Sequence, residues 1–320
     1  MKWRKLGLVF DLSKQQLPEG CVGFAQSPQP VVFKDFIRVY FSTRDVDPKN
    51  GKFISEVAFA DFEPDLSKVI SVSDRPVIAR ARLGCFDEHG IFPMNVIKHG
   101  PELWGYTCGW SRRVSVSVET GIGLAVSKDG GLRFERIGNG PVLTSSPREP
   151  FLVGDGFVLQ EGGYYHMWYI FGTGWRTYKE SGTPERTYKI GHAVSGDGVD
   201  WKKTNEGVAI IPDAIGKAES QALPCVIKID DFYHMFFCFR HSYDFRKNPA
   251  RGYRIGHAYS KDLRKWIRDD QAIPLEQSHG SWDSDMMCYP SVCTSKGRTY
   301  LLYNGNEFGR YGFGAAILER

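Results

Sequence analysis

The chain repeats one pattern of strands and turns, and this repeat limits the folds it can adopt. Two copies are nearly in register: Asp155–Phe171 with Tyr188–Trp201, and Leu223–Arg240 with Tyr253–Trp266. Each copy contains an apolar strand, a turn rich in Gly or Asp, an aromatic strand, a loop, and a Gly-His-Ala strand followed by Ser-x-Asp. Self-similarity at a fixed period is typical of repeat architectures, so the pattern predicts a fold built from equivalent units.

The spacing of the repeat predicts the number of units. The serines of three equivalent turns, Ser127, Ser195 and Ser260, lie 68 and 65 residues apart. A chain of 320 residues therefore has room for roughly five units. Weaker copies begin at Pro28, Phe92 and Pro290.

Each unit is a run of short strands rich in β-branched and aromatic residues, without a long stretch of helical period. Four strands per unit, arranged radially, form a propeller blade, and closing the ring protects the strand edges. The last unit ends after its third strand, and Trp3–Phe10 is available to supply the fourth. We predict an all-β fold: a single domain, residues 1–320, forming a five-bladed β-propeller of four-stranded antiparallel blades around a central channel, closed by the N-terminal strand.

Composition excludes several classes of function. A net charge of +4 without a basic stripe argues against nucleic-acid binding, and no apolar run is long enough to cross a bilayer. Seven cysteines without metal-ligand spacing indicate reduced, buried thiols and a cytoplasmic protein. We expect no metal and no cofactor, and the sequence neither indicates nor excludes a structural divalent cation in the channel.

Residues that recur in every unit are interpreted as structural. The Ser-x-Asp turns resemble the Asp-box hairpins of sialidases, in which the side chains satisfy the backbone of a tight turn. His192 and His257 occupy equivalent positions, as do His166 and His234, and we expect all four to pack within the blades.

Acidic residues stand where the units differ. Innermost strands of a propeller begin near the channel, so the residues just before the first strands are expected to line its mouth. The equivalent positions in the five units are Pro28, Pro93, Gly156, Pro224 and Pro290. The acids found before them are Glu88, Glu149, Asp155, Glu219, Asp283 and Asp285. Converging like charges raise one another's pKa, an arrangement suited to general acid–base chemistry. We therefore predict that acids of four blades meet at the channel mouth.

The elements Val153-Gly-Asp155-Gly-Phe157 and Glu219-Ser-Gln-Ala-Leu-Pro224 carry a resemblance to known enzymes. The chain resembles the five-bladed propeller glycoside hydrolases, namely the arabinanase/xylosidase, invertase/levansucrase and mannoside phosphorylase families. The resemblance implies carboxylates at the starts of inner strands. The first-blade Asp of those enzymes is replaced here by Gln26 and Ser27, so the resemblance leaves the base to Glu88, Asp283 or Asp285.

Cations and aromatic residues accompany these acids at the predicted mouth. Arg binds carboxylates and phosphates with two parallel hydrogen bonds, and Trp stacks on sugar rings, so this composition predicts an anionic carbohydrate substrate. The candidate substrate-binding residues are Gln26, Arg44, His89, Trp110, Arg112, Arg113, Glu149, Arg240, Arg254, Trp282, Asp283, Asn304, Asn306 and Arg310.

The leading hypothesis is a glycosidase acting on an acidic or phosphorylated sugar. Glu219 is predicted as general acid, Glu88 or Asp285 as base, and Asp155 as the charge that keeps the acid's pKa high and orients the sugar. An acid and a base on opposite blades leave room for a water molecule, which favours inversion.

Three alternatives remain open at this stage. Phosphate in place of water would make the protein a glycoside phosphorylase, with Arg112, Arg113 and Arg240 as the phosphate clamp. The missing first-blade Asp favours a non-catalytic sugar-binding or protein-binding propeller, since fold alone does not fix function. Sugar processing in the cytosolic assembly of a polysaccharide is the third.

Overall fold

The computed structural model describes residues 1–179 and 182–319, and it places their strands in five antiparallel sheets of four strands each. The N-terminal strand β1 spans Lys2–Asp11. Blade 1 contains β2 (Gly23–Val32), β3 (Ile37–Val46), β4 (Phe53–Phe62) and β5 (Val69–Val72). Blade 2 contains β6 (Ile91–His99), β7 (Glu102–Arg112), β8 (Val118–Ser127) and β9 (Glu135–Arg136).

The remaining blades follow the same order of strands. Blade 3 contains β10 (Val153–Glu161), β11 (Tyr164–Thr177), β12 (Pro184–Ser195) and β13 (Lys202–Lys203). Blade 4 contains β14 (Glu219–Ile229), β15 (Phe232–His241), β16 (Arg254–Ser260) and β17 (Ile267–Arg268). Blade 5 contains β18 (Cys288–Ser295), β19 (Arg298–Asn304), β20 (Gly312–Glu319) and, as its outermost strand, β1. The predicted five-bladed propeller is confirmed.

Helical structure in the described part of the chain consists of single turns. They are Leu12–Lys14, Pro249–Arg251, Asp270–Ala272 and Asn306–Gly309. Among residues 1–179 and 182–319, no helix has the length and apolar character that a membrane crossing requires.

The N-terminal strand closes the ring, as the sequence predicts. Strand β1 pairs antiparallel with β20 from Lys2 opposite Glu319 to Asp11 opposite Gly312. The first and last strands of the chain are therefore hydrogen-bonded neighbours in one sheet, so the edge of β20 is covered by β1.

The hydrophobic core lies between neighbouring blades. Between blades 5 and 1, Phe10 stacks on Phe313 with ring centroids 4.9 Å apart, and Phe41 and Phe62 complete the cluster. Because burial of apolar surface is the main stabilising contribution to folding, these contacts hold each blade to the next. The axis of the ring is left free for a cavity.

The repeated Ser-x-Asp residues build turns, as predicted. Ser195 Oγ donates to Asp197 Oδ1 at 2.8 Å, and the same carboxylate accepts from the backbone N–H groups of Val199 and Asp200. Ser127 with Asp129, and Ser260 with Asp262, repeat this geometry. The four repeated histidines form two stacked pairs within blades 3 and 4.

Candidate active site

A bulge interrupts the strand pairing at the start of each inner strand, and in blades 2, 3 and 5 the residue at the bulge lines the central cavity. The pairing of each inner strand with its neighbour slips at the equivalent position in all five blades. Bulges re-aim side chains and are frequent near active sites. The residues there are Ser27, Phe92, Asp155, Leu223 and Tyr289; all but Phe92 have left-handed φ values, between 49° and 57°, and Phe92 precedes a cis proline.

These inner-strand starts surround a central cavity of about 560 Å³ at the mouth of the ring. Its wall combines aromatic residues with four arginines and a few other polar side chains, a mixture of apolar and polar groups common in ligand-binding cavities. The aromatic residues are Phe24, Phe53, Phe92, Trp110, Tyr188, Phe245, Tyr253, Tyr289 and Phe308.

Asp155 is the carboxylate that lines this cavity in the described part of the chain. Burial raises the pKa of Asp155 to about 7, while a hydrogen bond from the Leu223 backbone N–H and the charge of Arg186 act in the opposite direction. A carboxyl group with such a pKa holds its proton for much of the time near neutral pH, which suits a general acid.

Arg240 is a buried cation in the cavity wall. It is 2% exposed; it donates to the backbone carbonyl of His241 at 2.7 Å and to Tyr188 Oη at 2.9 Å, and its Nε has no partner. The guanidinium lies 3.5 Å from the centre of the Phe245 ring. No carboxylate of the described residues forms an ion pair with it, so this buried positive charge is contacted by aromatic rings and neutral oxygen atoms only.

Two further arginines face the cavity without an acidic partner among residues 1–179 and 182–319. Arg44 Nη1 donates to Ser55 Oγ at 2.5 Å, and burial lowers the pKa of this guanidinium. Arg186 Nη1 donates to Ser117 Oγ at 3.1 Å. Arg246, the fourth arginine of the wall, is paired with Glu185 at 2.9 Å. The cavity therefore carries more positive than negative charge and favours an anionic ligand.

The predicted convergence of acids from four blades is wrong for the buried members of the set. Glu219 accepts from Arg268 at 2.6 Å, from Gln221 at 2.9 Å and from the backbone N–H groups of Ala214 and Ile215. Burial raises the pKa of Glu219, but these bonds outweigh it and the net shift is downward. A carboxylate so held is ionised and turned away from the cavity, so its position does not suit a general acid.

Glu149 and Asp283 are also buried in ion pairs. Glu149 pairs with Lys203 at 2.6 Å and accepts from Tyr169 Oη at 3.0 Å. Asp283 pairs with Lys5 at 2.6 Å and accepts from Tyr303 Oη at 3.0 Å. Each acid lies several residues before its bulge, and its partner is a lysine on the outermost strand of the same blade. The carboxylate therefore points outward and away from the axis.

The other two predicted acids lie outside the cavity wall. Glu88 accepts from the Gly84 backbone N–H at 2.8 Å, and its neighbour His89 accepts from the Arg112 N–H at 3.3 Å. Asp285 accepts from Ser284 Oγ at 2.9 Å, and its backbone carbonyl accepts from Arg254 at 3.1 Å. Neither the two acids nor the predicted binding residues beside them, His89 and Arg254, line the cavity with Asp155.

Asn304, predicted to bind substrate, instead joins the first and last blades. Its Nδ2 donates to the carbonyls of Ala25 and Gly312, both at 2.8 Å, and its Oδ1 accepts from the Ser27 N–H at 2.7 Å. With all three bonds satisfied and no exposure, its position indicates a structural residue of the ring closure.

Two grooves continue from the cavity and contain five further predicted residues that do not line the cavity itself. The cationic groove, about 550 Å³, shares Trp110, Arg186 and Arg246 with the cavity and includes Arg112 and Arg113. The neutral groove, about 1160 Å³, shares Phe24 and Phe53 with the cavity. It includes the predicted residues Trp282, Asn306 and Arg310. The structure thus places Gln26, Arg44, Trp110 and Arg240 in the cavity beside Asp155. Arg112, Arg113, Trp282, Asn306 and Arg310 lie in the two grooves, and the remaining predicted residues lie in neither.

Most aromatic residues of the cavity wall are not among the residues predicted from the sequence. Tyr188 and Tyr253, together with Thr120, line the cavity from positions in or next to the third strands, three residues before the Gly of each repeat. The repeat register could have found them, because equivalent positions of neighbouring blades face the same axis. Phe245 and Phe308 come from loops that follow no repeat, and the sequence offers no comparable signal for them.

No group of three or more His, Cys, Asp or Glu side chains is arranged to hold a metal ion in the residues that the structure describes. The polar groups of the cavity are guanidinium, amide and hydroxyl groups with one carboxyl group. They suit hydrogen bonding to an oxygen-rich anion better than coordination of a cation.

Comparison with solved structures shows the same fold in glycoside hydrolases. A putative glycoside hydrolase from Parabacteroides distasonis has a TM-score of 0.70 at 13% identity, covering 99% of this chain and 96% of that chain. A thermostable family-43 glycoside hydrolase has a TM-score of 0.67 at 15% identity, covering 96% and 92%. The Bombyx mori GH32 beta-fructofuranosidase BmSUC1 has a TM-score of 0.61 at 14% identity, covering 93% of this chain and 60% of the enzyme. The resemblance predicted from the sequence is confirmed at the level of fold.

Two proteins of Mycobacterium tuberculosis are similar over the full length of both chains. The uncharacterized protein MT1551 (strain CDC 1551 / Oshkosh) is 34% identical over 329 residues, covering 100% of each chain. The uncharacterized protein Rv1502 (strain ATCC 25618 / H37Rv) is 33% identical over 329 residues, again covering 100% of each. No protein-family model matches the chain. By this identity over its whole length, the chain belongs to the family of MT1551 and Rv1502, whose fold in this member is the five-bladed propeller shared with glycoside hydrolases.

Proposed function

We propose that the central cavity binds a sugar bearing an anionic group and cleaves its glycosidic bond, with Asp155 as general acid. One observation carries this proposal: a buried carboxyl group with a pKa of about 7 shares a cavity with three arginines that have no acidic partner in the described chain. The fold shared with glycoside hydrolases supports the same class of reaction.

Asp155 would act on the oxygen that leaves the sugar. Protonated Asp155 donates its proton to the glycosidic oxygen as the bond to the anomeric carbon breaks, so the alcohol leaves neutral. Positive charge then develops on the ring, and the Asp155 carboxylate formed in this step stabilises it. Arg186, at the junction of the cavity with the cationic groove, holds the anionic group of the sugar and fixes the ring relative to Asp155.

The nucleophile distinguishes two forms of this proposal. Hydrolysis with two carboxylates needs a second acid near the anomeric carbon, and the described lining of the cavity offers only Asp155. Inorganic phosphate is itself a nucleophile and needs no base. Phosphate held by Arg240 and Arg44 would attack the anomeric carbon opposite to the leaving group, giving a sugar 1-phosphate with inverted configuration and the free alcohol. The single acid therefore favours the phosphorylase alternative over the hydrolase.

The binding-only alternative has one observation in its favour. Acids that the sequence assigned to catalysis, Glu149, Glu219 and Asp283, form buried ion pairs. A sugar-binding propeller would need no carboxyl group with a raised pKa, however, and Asp155 has one. Unpaired thiols at all seven cysteines support our expectation of a cytoplasmic protein.

Activity on aryl glycosides tests the proposal. The panel contains neutral glycosides, uronides and 6-phosphoglycosides, each with and without inorganic phosphate, and wild type is compared with Asp155→Asn. We expect wild type to release the aryl alcohol from anionic glycosides and Asp155→Asn to lose at least about 10²-fold of this activity. Phosphate dependence, with sugar 1-phosphate as product, identifies a phosphorylase.

Thermal unfolding of both proteins controls for folding, since Asn has the shape of Asp. Equal activity of wild type and a folded Asp155→Asn would remove Asp155 from the mechanism. Absence of aryl release from the whole panel, together with saturable binding of an acidic sugar, would leave a binding protein instead of an enzyme.

A further inference from the structure

We infer that the ligand lies across the cavity in a fixed direction, with its anionic group toward the cationic groove and a neutral oligosaccharide in the neutral groove. The inference rests on the proposed function for the position of the reacting bond, but its test measures binding alone. It adds a second binding region and specifies the chemistry of the part of the ligand that occupies it.

The neutral groove is continuous with the cavity. Phe24 and Phe53 line both, and their rings meet edge to face with centroids 5.9 Å apart. The groove runs from these two rings along the loop after β1 to Trp282 and Tyr311 of blade 5. Its volume of about 1160 Å³ is twice that of the cavity, which leaves room for more than one sugar ring.

The charges of this groove are already compensated within the protein. Asp11 pairs with Lys14 at 3.0 Å, and Arg310 pairs with Glu307 at 2.7 Å. An ion in the groove would therefore find no unpaired opposite charge among the described lining residues. The groove is suited to an uncharged ligand.

Two amide side chains in the groove are available to such a ligand. The side chains of Gln15 and Gln16 form no hydrogen bond with any residue in the described ranges 1–179 and 182–319. Each offers an acceptor oxygen and two donor N–H groups, which match sugar hydroxyl groups. Asn306, by contrast, has its side chain occupied by the backbone of Asp285 and Ser281.

Exposed aromatic rings complete the requirements for sugar binding. Phe53 is 49% exposed and Tyr311 is 46% exposed, both in the groove wall. Large aromatic surfaces left in solvent are unfavourable unless a partner covers them, and the apolar faces of sugar rings are suitable partners. Free amides beside exposed rings indicate a neutral glycan rather than an apolar ligand.

The cationic groove on the other side of the cavity has the opposite character. Arg186 belongs to both the cavity and this groove, and neither Arg186 nor Lys52 pairs with a carboxylate in the described chain. Glu185 is the single acid among its described lining residues, and Arg246 neutralises it. Because one extension is positive and the other neutral, the ligand can satisfy both only in one direction.

Glycan binding by the Asp155→Asn protein tests this direction without interference from cleavage. The probe is a printed array of gluco-, manno-, galacto-, arabino- and xylo-oligosaccharides of increasing length, each with and without a terminal uronic acid or phosphate. We expect the bound members to carry both the anionic end and a neutral chain, with affinity rising about tenfold as neutral residues are added.

Variants locate the effect. Gln15→Ala with Gln16→Ala, and separately Phe53→Ala, should reduce affinity for the long glycans at least about fivefold and leave the short anionic members unchanged. Gln160→Ala and Tyr164→Ala remove the same kinds of side chain from an exposed turn of blade 3 outside the three sites, and should change nothing.

Affinity independent of glycan length, no loss in the Gln15/Gln16 and Phe53 variants, or no binding to any member of the array would overturn the inference. Length-dependent binding without any aryl glycoside cleavage by wild type would retain the groove and reject the proposed catalysis. Cleavage of aryl glycosides without length-dependent glycan binding would support the proposed catalysis and reject the neutral groove as a binding region.

Discussion

Glu219, at the start of the inner strand of blade 4, accepts a 2.6 Å hydrogen bond from Arg268 on the outermost strand of the same blade. The same relationship occurs in three other blades. An acid before the inner strand pairs with a base on the outermost strand in Asp87–Arg136, Glu149–Lys203 and Asp283–Lys5. We call these four pairs the blade clasps. They fasten the outer edge of a blade to the chain entering its centre.

Breaking a clasp is expected to destabilise the protein without a direct effect on the cavity. Glu219→Gln removes one of the two counter-charges of the buried Arg268, which also pairs with Asp270 at 2.9 Å, and removal of one partner of a buried ion pair costs at most about 3–5 kcal/mol. The free energy of unfolding from urea titration should fall by this order, while the activity per folded molecule stays near that of wild type.

The matched control for this prediction replaces both partners. The double variant Glu219→Leu with Arg268→Met should recover part of the loss, because neither member of the pair is left charged and buried. The recovery is partial because the backbone N–H groups of Ala214 and Ile215 lose their acceptor and Asp270 loses its arginine. A stable Glu219→Gln protein whose activity falls as far as that of Asp155→Asn would contradict the structural assignment and restore Glu219 as a catalytic candidate.

Asp155 gives a second prediction, on the pH dependence of stability. Its pKa is raised from 3.8 to about 7 by burial, so the folded protein binds this proton more tightly than the unfolded chain. Ionisation of Asp155 therefore costs stability as pH rises from 3.8 through 7. Each pKa unit corresponds to about 1.4 kcal/mol, so the cost above pH 7 amounts to at most about 4 kcal/mol.

Asp155→Asn removes this cost because an amide does not ionise. Relative to wild type, the variant should gain stability as pH rises from 3.8 to above 7, as measured by urea unfolding at a series of pH values. Asp231→Asn, on an exposed turn, serves as a control for the general effect of removing a carboxylate. A stability difference between Asp155→Asn and wild type that does not vary with pH would show that Asp155 is not buried as the structure has it.

The sequence predicts the ring well and the site only in part, for a physical reason. Strand period, turn residues and the repeat are local properties, so the five blades and the closing role of Trp3–Phe10 could be predicted. Alignment on the inner-strand anchors also places Phe92, Asp155 and Tyr289 at the cavity, because each directly precedes its anchor at a bulge.

Side-chain direction away from the bulge could not be predicted in the same way. Glu219 lies only a few residues before Pro224, yet the start of β14 turns its carboxylate to Arg268 of β17. The identity of such a partner depends on the pairing of strands far apart in sequence. A basic residue ends the two-residue outer strands of blades 2, 3 and 4, at Arg136, Lys203 and Arg268, and this is the signal that could have indicated structural pairing.

Arg240 gives a third prediction. A buried cation without an acidic partner is destabilising until an anion binds, and a ligand that binds only the folded state raises the melting temperature. Inorganic phosphate should therefore raise the melting temperature of wild type. Arg240→Met, which fills a similar volume, should be as stable as wild type or more stable without phosphate and should lose the phosphate effect.

Arg133→Met removes a charge from an exposed turn and is the matched control, with the phosphate effect retained. Equal stabilisation of Arg240→Met and wild type by phosphate would place the anion elsewhere than at Arg240.

The histidine pairs give the last prediction. His166 Nδ1 lies 3.1 Å from His192 Nε2, and His234 Nδ1 lies 3.0 Å from His257 Nε2, so one ring of each pair must donate and the other accept. Burial lowers the pKa of His192 and of His257 to about 4, and the neighbouring histidine of each pair adds to this effect.

Between pH 6.5 and about 4, both histidines are therefore mostly neutral in the folded protein, whereas each binds a proton in the unfolded chain. Stability is unaffected above the ordinary pKa of 6.5 and falls as pH decreases from 6.5 toward 4, by up to about 3 kcal/mol for each histidine. Replacing His192 and His257 by Asn should lower stability near neutral pH, since the ring contacts are lost, but should flatten the decline below pH 6.5. His279→Asn, at an exposed position, should leave the decline unchanged. An equally steep decline in the His192 and His257 variant would show that these two histidines are not the source of the acid sensitivity.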